Sequence, residues 1–159
     1  MRGRHFALDA AQVRSLRAAD DAQDYVDELE EADDARWTFD SDKAWDGIHR
    51  CLGDGQSTIP THRVPTVLKA VLGGEDLSDD EGNYIYFVSA STTPKVAAAL
   101  APITRSWFRE RHRALASTDY DGGASDEDFE YVWSNFVGLR DFFGRAAEAK
   151  RAVLFSVSG

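Results

Sequence analysis

Cysteine is almost absent from this sequence: Cys51 is the only one, so the chain cannot form an internal disulfide. A chain without disulfides is typical of a reducing compartment, and we therefore expect a cytoplasmic protein. Cys51 falls on the Ala44 side of its predicted helix, away from His49, and we interpret it as a packing residue. We also expect no secretion signal, because Met1 to Arg4 leads directly into an amphipathic segment.

The sequence also lacks a long apolar run and an excess of basic charge. No run approaches the roughly 20 apolar residues that a membrane-spanning helix needs, so we expect no membrane segment. The chain has 18 Lys and Arg against 28 Asp and Glu, a formal net charge of −10. Because phosphate backbones repel such a chain, we expect no nucleic-acid binding. A basic protein or a small molecule is the more fitting partner.

What is present is typical of a globular domain. The 159 residues are 43% hydrophobic and 29% charged, and no repeat, low-complexity tract or linker divides them. A chain of this length buries about 70% of its unfolded surface on folding. We therefore predict one domain over residues 1–159.

Three segments have the pattern of β-strands. The clearest is Tyr84–Val88, which is β-branched and aromatic and bounded by turn residues, and its nearly continuous apolar run predicts a strand covered on both faces. Shorter candidates lie near the N-terminus, at residues 5–8, and at the C-terminus, at residues 152–157. Since helices intervene, we predict an α+β fold with a small sheet of a few short strands, N-terminal, central and C-terminal, packed with several amphipathic helices.

Apolar residues at helical spacing predict seven helices, at residues 10–18, 21–32, 42–52, 66–72, 94–100, 104–116 and 126–149, with Thr92 or Thr93 as the cap of the fifth and Ser125 as the cap of the last. The longest begins after Ser125, with Asp128 three residues later in a capping-box-like position. In the helix over 104–116 we expect Trp107 and Phe108 to face inward. The same helix has a basic cluster, for which we favour internal or surface ion pairs over an anion site; its members are Arg105, Arg109, Arg111, His112 and Arg113.

The helix over 42–52 holds the main candidate residues. Trp45, Ile48 and Leu52 form an apolar stripe, and Asp46 and Arg50 are spaced for an i,i+4 ion pair. Residues 40–42 offer three acidic or hydroxyl N-caps, and Gly53 and Gly55 mark the end of the helix.

His49 lies between the apolar and charged faces of this helix and allows two interpretations. It could act as a general base or ligand, with Asp46 or Asp42 fixing its tautomer. It could equally be a boundary histidine that hydrogen-bonds a buried group beside Trp45. The two differ in whether His49 opens into a pocket with a second polar group or is sealed beside the indole.

The same segment carries a family resemblance. Residues 39–49, read as Phe-Asp-Ser-Asp-Lys-Ala-Trp-Asp-Gly-Ile-His, resemble the aspartate-lysine-x-tryptophan-x-x-aliphatic-histidine signature of the YfbM-like proteins, a bacterial family named as a domain of unknown function. Residues 71–75 and 146–157 also fit. The resemblance implies a single α+β domain and brings no established activity or catalytic residues. The sequence departs from the family at residues 2–5, Arg-Gly-Arg-His, where the first strand is normally more apolar.

The helix over 21–32 has a strongly acidic outer face. From residue 19 to residue 35 the chain has nine acids and no base. Asp24, Asp27 and Glu31 on this face are candidates for binding a basic partner, and the alternative is a solvated surface. A second acidic segment, residues 75–83, places Glu81 where a calcium loop requires glycine, so we predict no metal there. We predict no cofactor, and we expect His62 to lie in an exposed loop.

Two functions fit these observations. The first is a non-catalytic binding or interaction module, with Trp45 and the acidic helix face as candidate binding residues. The second is a small hydrolase-like enzyme that uses His49 with Asp42 or Asp46.

Overall fold

The computed structural model describes residues 1–58, 63–79 and 82–159. The sequence-based expectations for His62 and Glu81 therefore lie outside the described residues. Within these ranges the elements are, in order, β1 (Arg2–Leu8), α1 (Ala10–Ala18), α2 (Ala22–Ala32), β2 (Thr38–Asp42), α3 (Ala44–Leu52), a 3-10 helix (Thr66–Ala70), β3 (Glu75–Asp76), β4 (Tyr84–Val88), α4 (Thr93–Leu100), α5 (Arg105–Ala114), a 3-10 turn (Leu115–Ser117), α6 (Asp126–Glu148) and β5 (Ala152–Ser158).

The five strands form one antiparallel sheet in the order β2-β1-β5-β4-β3. The three predicted strands are its centre, with β5 paired to β1 from Arg2↔Ser158 onward and to β4 from Tyr84↔Val157 onward. The predicted α+β fold is confirmed. Residues 2–5, which depart from the family pattern, are part of β1 and pair with β5 along their whole length.

Both edge strands were missed by the sequence prediction. β2 pairs with β1, from Phe6↔Thr38 to Gly3↔Asp42, and so includes residues 40–42, which the sequence analysis predicted as helix N-caps. β3 has two residues and pairs with Phe87 and Tyr86, in a segment predicted to be a loop. A short polar edge strand has no alternating apolar pattern, because water covers its outer side.

Helices cover both faces of the sheet, and side chains alternate between the two sides. In β4, Tyr86 and Val88 join the larger core with α3, α4, α5 and α6, whereas Ile85 and Phe87 join a smaller core with α1 and α2. The prediction that β4 is covered on both faces is confirmed. The larger core is dominated by α6, whose buried residues follow helical spacing: Phe129, Val132, Phe136, Leu139, Phe142, Phe143 and Ala146.

The start of α3 differs from the prediction. The helix begins at Ala44, its N-cap position is Lys43, and that residue has no side-chain cap. The three residues predicted as caps are used elsewhere: the Asp40 carboxylate accepts from Asp42 N at 2.8 Å, Ser41 Oγ donates to Gly3 O at 3.0 Å, and Asp42 has a left-handed φ of 49°.

A tyrosine from α6 takes over the capping role. Lys43 N donates to the Tyr131 hydroxyl oxygen at 3.1 Å, and that hydroxyl donates to the Asp42 carboxylate at 2.8 Å. At the other end Gly53 is the C-cap, as predicted, but its φ is −102°, and the left-handed residue is Gly55, at 87°.

Two other helix predictions need correction. Trp107 does not face inward: it is 39% exposed, and the Arg111 guanidinium lies 4.5 Å from its ring centroid. The reason is that Phe108 and Leu115 already fill the inner face of this segment. The segment over 66–72 forms a 3-10 helix, Thr66–Ala70, in place of an α-helix.

Candidate functional site

His49 is sealed inside the protein. Its side chain is 1% exposed, and among the described residues neither ring nitrogen makes a hydrogen bond of normal geometry. Burial lowers its pKa below the usual value, and the Thr58 backbone and the field of Asp46 oppose that shift only in part. The histidine is therefore neutral at physiological pH, as expected for a core position.

The carboxylates that could orient His49 bind other groups. Asp46 Oδ2 accepts from Arg50 Nε at 3.0 Å, the predicted i,i+4 pair, and Asp42 accepts from Tyr131. The hydrogen bond from His49 to a carboxylate, which the catalytic interpretation requires, is thus not formed among the described residues. The local spacing was right, but the arginine competes more strongly, because it is permanently charged and the neutral imidazole is not.

A cavity of about 660 Å³ opens beside the start of α3. It brings together two of the sequence candidates, Trp45 and Asp46, and leaves out His49. The walls come from the N-terminus, α3, the start of β4, the loop after residue 118 and the first turns of α6. Its aromatic residues are Trp45, Tyr84, Tyr120 and Tyr131, and its charged residues are Lys43, Asp46, Arg50, Asp121 and Asp128.

Trp45 packs closely against β1, and a glycine makes this possible. A Cβ atom added at Gly3 would lie 2.8 Å from Trp45 Cδ1, far inside van der Waals contact. The indole ring is 6.3 Å from Tyr84 and 6.2 Å from Phe155, centroid to centroid, and its Nε1 approaches Met1 O at 3.4 Å. Gly3 is one of the residues that depart from the family pattern, and its lack of a side chain leaves the space that Trp45 occupies.

Arg50 lines the pocket, but its guanidinium is bound by other groups of the protein. Its side chain is 6% exposed, and besides Asp46 it donates through Nη1 to Asp119 Oδ1 at 2.7 Å and to Gly55 O at 3.2 Å. The hydrogen bond and charge of this guanidinium lower the pKa of Asp119. Arg50 is thus engaged by the protein itself, and it stiffens the link between α3 and the loop at residue 119.

A buried network forms the opposite wall. Asp128 Oδ2 accepts from the Tyr120 hydroxyl at 2.9 Å and lies 2.6 Å from His112 Nε2, and the His112 side chain is only 1% exposed. Burial, followed by the hydrogen bond to Asp128, raises the pKa of Tyr120, so the phenol stays protonated and donates. Gly47 of α3 leaves room for this phenol, because a Cβ there would lie 2.8 Å from its oxygen.

The sequence had placed His112 in a basic cluster expected to make internal or surface ion pairs. Two of its arginines do so, Arg105 with Glu130 and Arg109 with Asp126, and His112 Nε2 hydrogen-bonds the Asp128 carboxylate. Arg111 instead donates to backbone oxygens, those of Cys51 and Gly53. What the sequence analysis missed is that Asp128 turns its carboxylate toward the pocket network, while its backbone N–H donates to the Ser125 cap.

The acidic face of α2 lies on the surface. Asp24, Asp27 and Glu31 are all exposed, and no Lys or Arg of the described residues forms a salt bridge with them. Asp27 accepts one hydrogen bond, from Gln23 Nε2 at 2.8 Å. These three candidates therefore lie on the surface as a negatively charged stripe, without a salt bridge among the described residues.

Other chemistry is restricted by the residues at hand. Cys51 is fully buried, and burial raises the pKa of its thiol to about 12, so the nucleophilic thiolate is not formed at neutral pH. In residues 1–58, 63–79 and 82–159, no cluster of three or more His, Cys, Asp and Glu side chains is arranged to hold a metal ion. Among the helices described, none is long and apolar enough to cross a bilayer.

Comparisons with known proteins agree on the fold. The family model "Domain of unknown function (DUF1877)" matches residues 1–156. The crystal structure of YfbM from Escherichia coli, a protein of unknown function, superposes with a TM-score of 0.73 at 17% identity, covering 99% of this chain and 100% of that one. At this identity the likeness shows the shared fold alone. No curated protein sequence matches the chain.

Proposed function

The chain belongs to the DUF1877 family, a domain of unknown function, and from its geometry we propose that it is a non-catalytic binding module that takes a small organic molecule in the pocket beside Trp45. The position of exposed apolar side chains carries this proposal. Four large hydrophobic side chains are exposed in the described residues, and three of them line this pocket: Met1 at 58%, Tyr84 at 39% and Tyr131 at 37%. Exposed apolar surface gathered at one cavity is typical of a binding site.

The size and lining of the cavity fit the proposal. A volume of about 660 Å³ lies within the range of ligand pockets, and aromatic walls with a few placed polar groups are typical of them. The pocket is also well supported. Trp45 is held on β1 by Gly3, and Tyr120 is held by its hydrogen bond to Asp128.

The polar groups of the pocket suit binding better than bond cleavage. A Ser, Thr or Cys nucleophile needs a hydrogen bond to a base, and no such side chain hydrogen-bonds to a histidine in the described part of the chain. His112 is turned to Asp128, whose Oδ2 atom already accepts from Tyr120. The three groups lock α5, the loop and α6 together, which is a positioning role.

The proposal is tested by a fragment screen with ligand-observed NMR and two matched variants. Tyr84 and Trp107 are each 39% exposed, but only Tyr84 lines the pocket. Fragments that bind the unmodified protein should lose binding to Tyr84→Ser and keep it with Trp107→Ser. A screen without hits, or hits that bind Tyr84→Ser unchanged, would overturn the assignment of this pocket.

The alternative, a hydrolase-like enzyme using His49, is weakened by the burial of His49 and by its absence from the pocket lining. His49→Gln keeps hydrogen-bonding capacity but cannot titrate near neutral pH. We expect this variant to lose only about 1 kcal/mol of stability and to bind fragments normally. A stable His49→Gln protein that has lost a measurable function would favour the enzyme.

The acidic face of α2 supports a second binding role, toward a basic protein. The observation in its favour is that Asp24, Asp27 and Glu31 are exposed and make no salt bridge among the described residues. Reversing all three to lysine should abolish capture of a basic partner from cell lysate, whereas neutral Asn and Gln replacements should weaken it. Identical capture by the lysine variant would remove this role and leave a solvated surface.

A further inference from the structure

The basic groups that line the Trp45 pocket are already matched by acids. Arg50 is saturated by Asp46, Asp119 and a backbone carbonyl, so its charge is neutralised within the protein. Among the described lining residues the other basic groups are Lys43 and the N-terminal amine of Met1, and two more carboxylates, Asp121 and Asp128, offset them. The described lining therefore has no surplus of positive charge, and the protein as a whole has a net charge of −10. An anionic ligand would be repelled by that net charge.

One carboxylate has an oxygen to spare. Both partners of Asp128, the Tyr120 hydroxyl and His112 Nε2, bind Oδ2. Its Oδ1 atom has no hydrogen bond among the described residues, although the Asp128 side chain is only 13% exposed. A half-buried carboxylate oxygen without a donor favours a ligand that brings a positive charge or an N–H group.

The aromatic walls attract the same chemistry. Four rings line the cavity, and the faces of Trp and Tyr rings stabilise cations through their quadrupole. One wall already does so within the protein, since the Arg50 guanidinium carbon lies 5.8 Å from the Tyr120 ring centroid. No cation of the described residues covers Trp45, Tyr84 or Tyr131.

A bare metal ion is a poorer match than an organic cation. The acids of the pocket are not grouped so that three or more could hold a metal among the described residues. Rings and carboxylates together suit a charged nitrogen that carries carbon substituents, because the substituents pack on the rings while the charge meets the acids.

From these observations we infer that the pocket binds an organic cation, an alkylammonium or methylated ammonium group. This inference rests on the proposed binding function and adds the chemical class of the ligand. The free molecule and the side chain of a basic peptide share this chemistry. A small cation presented alone tests the first source, and the same group on a trimethyllysine peptide tests the second.

The test uses a pair of probes that differ only in charge. Choline carries a trimethylammonium group, and 3,3-dimethylbutan-1-ol is its uncharged carbon isostere. Titration followed by NMR chemical shifts should show choline binding at least about fivefold more tightly than the alcohol, with shifts at the Trp45 indole. A trimethyllysine peptide that binds while choline does not would assign the cation to a protein partner.

Matched variants locate the effect. Tyr84→Ser should weaken choline binding by about two- to fivefold, and Tyr84→Phe, which keeps the ring, should not. Asp121→Asn should weaken it by up to about fivefold, whereas Asp24→Asn, which removes the same charge from α2, should leave it unchanged.

The results that would contradict the organic-cation inference differ from those that would contradict the proposed binding function. If the pocket binds neutral or anionic fragments and choline does no better than its isostere, the binding function stands and the cation is wrong. If neither fragments nor either cationic probe bind, both are wrong. If Asp121→Asn and Asp24→Asn weakened choline binding equally, the net charge of the protein alone would explain the attraction. That result would overturn the assignment to this pocket.

Discussion

Each end of strand β4 borders a cavity that contains an aromatic side chain of the strand and a carboxylate, but among the described residues a cation of the protein covers the strand's ring at only one of the two ends. Beside Tyr84 lies the pocket of about 660 Å³, and beside Phe87 and Val88 lies a second cavity of about 550 Å³. At the second end a cation already covers the ring: the Arg17 guanidinium carbon lies 4.6 Å from the Phe87 centroid, and Glu75 binds that guanidinium through both oxygens, at 2.9 and 2.6 Å.

This difference shows how a surface aromatic becomes available to a ligand. At the Phe87 end the ring, the cation and the carboxylate all belong to the chain, so the site is internally satisfied. At the Tyr84 end the rings and acids are present, but the buried arginine of the described lining, Arg50, is engaged by Asp46 and Asp119. The Arg17–Phe87–Glu75 group thus displays, within one molecule, the arrangement that an external cation would complete at the other end.

The largest expected effect is a pH-dependent loss of stability caused by a histidine in the central sheet, to which strand β4 also belongs. His5 on β1 is fully buried, its Nε2 lies 2.7 Å from Ala70 O, and burial lowers its pKa from 6.5 to about 4. The unfolded chain takes up this proton near pH 6.5 and the folded chain only near pH 4. The stability present above pH 6.5 should therefore fall by about 1.4 kcal/mol per pH unit through that window, about 3 kcal/mol in all.

Urea unfolding at pH 7 and pH 4.5 measures this loss, and His5→Gln is the non-titrating control. The difference between the two proteins should shrink as the pH falls, because only the histidine form is penalised by the proton. A constant difference across the window would show that His5 is not the responsible group.

Next in size is the network at the open end. His112→Ala leaves the half-buried Asp128 carboxylate without its nearest partner, and we expect a loss of about 2 kcal/mol, in the range of a hydrogen bond to a charged group. Fragment and choline binding should weaken as the Tyr120 wall loosens. Arg113→Ala, one residue along on the exposed side of α5, should change stability by less than about 0.5 kcal/mol. Equal losses for both variants in thermal melts would contradict the role of the network.

Changing Gly3, on which Trp45 packs, should alter stability less, and a matched glycine substitution elsewhere should change stability in the opposite direction. Gly3→Ala puts a methyl group 2.8 Å from the indole, and the strain should cost about 1–2 kcal/mol and displace Trp45 from the pocket. Gly144→Ala in α6 meets no atom within 4 Å, so helix propensity should raise stability by about 0.5–1 kcal/mol. Chemical denaturation measures both. A Gly3→Ala protein as stable as the unmodified one, with normal indole shifts, would show that the close packing is not required.

The variant with the smallest expected loss of stability, Arg17→Ala, tests the comparison of the two cavities most directly. Arg17→Ala removes an exposed pair with Glu75, so we expect a loss of only about 0.5–1 kcal/mol. It also uncovers the Phe87 face beside the Glu75 carboxylate, in a cavity that Arg63 and Lys69 also line, and this end should then gain weak choline binding, visible as new NMR shifts near β4. Arg14→Ala, on the same helix but outside the cavity, should gain none. If Arg17→Ala gains none either, a ring and an acid are not sufficient for cation binding.

Local pattern accounts for the part of this fold that the sequence predicted. The strands β1, β4 and β5 and the long helix α6 each have an apolar period that is independent of distant residues, and all were predicted. β2 was missed because Asp40, Ser41 and Asp42 have the composition of helix caps. Their actual partners, including Gly3 and Tyr131, are remote in sequence and take those side chains away from capping.

The candidate site depends even more on distant contacts. Trp45 and Asp46 could be identified from one helical segment, but the rings that complete the pocket, Tyr84, Tyr120 and Tyr131, come from three other parts of the chain. The sequence also suggested a partner for His49 from spacing alone, and Arg50 takes the Asp46 carboxylate instead. Spacing on one helix gives proximity, while competition among partners decides which contact forms.

The single thiol, Cys51, can report on transient local unfolding of α3. Cys51 is 0% exposed on α3, where it is part of the larger core, and burial raises its pKa to about 12. A maleimide or disulfide reagent can therefore modify it only in molecules whose α3 has transiently come away, so the rate of labelling in native buffer counts those excursions. Because no other cysteine competes, the whole reaction reports on this one helix. A ligand that occupies the neighbouring pocket should slow the reaction in proportion to its affinity for the closed form.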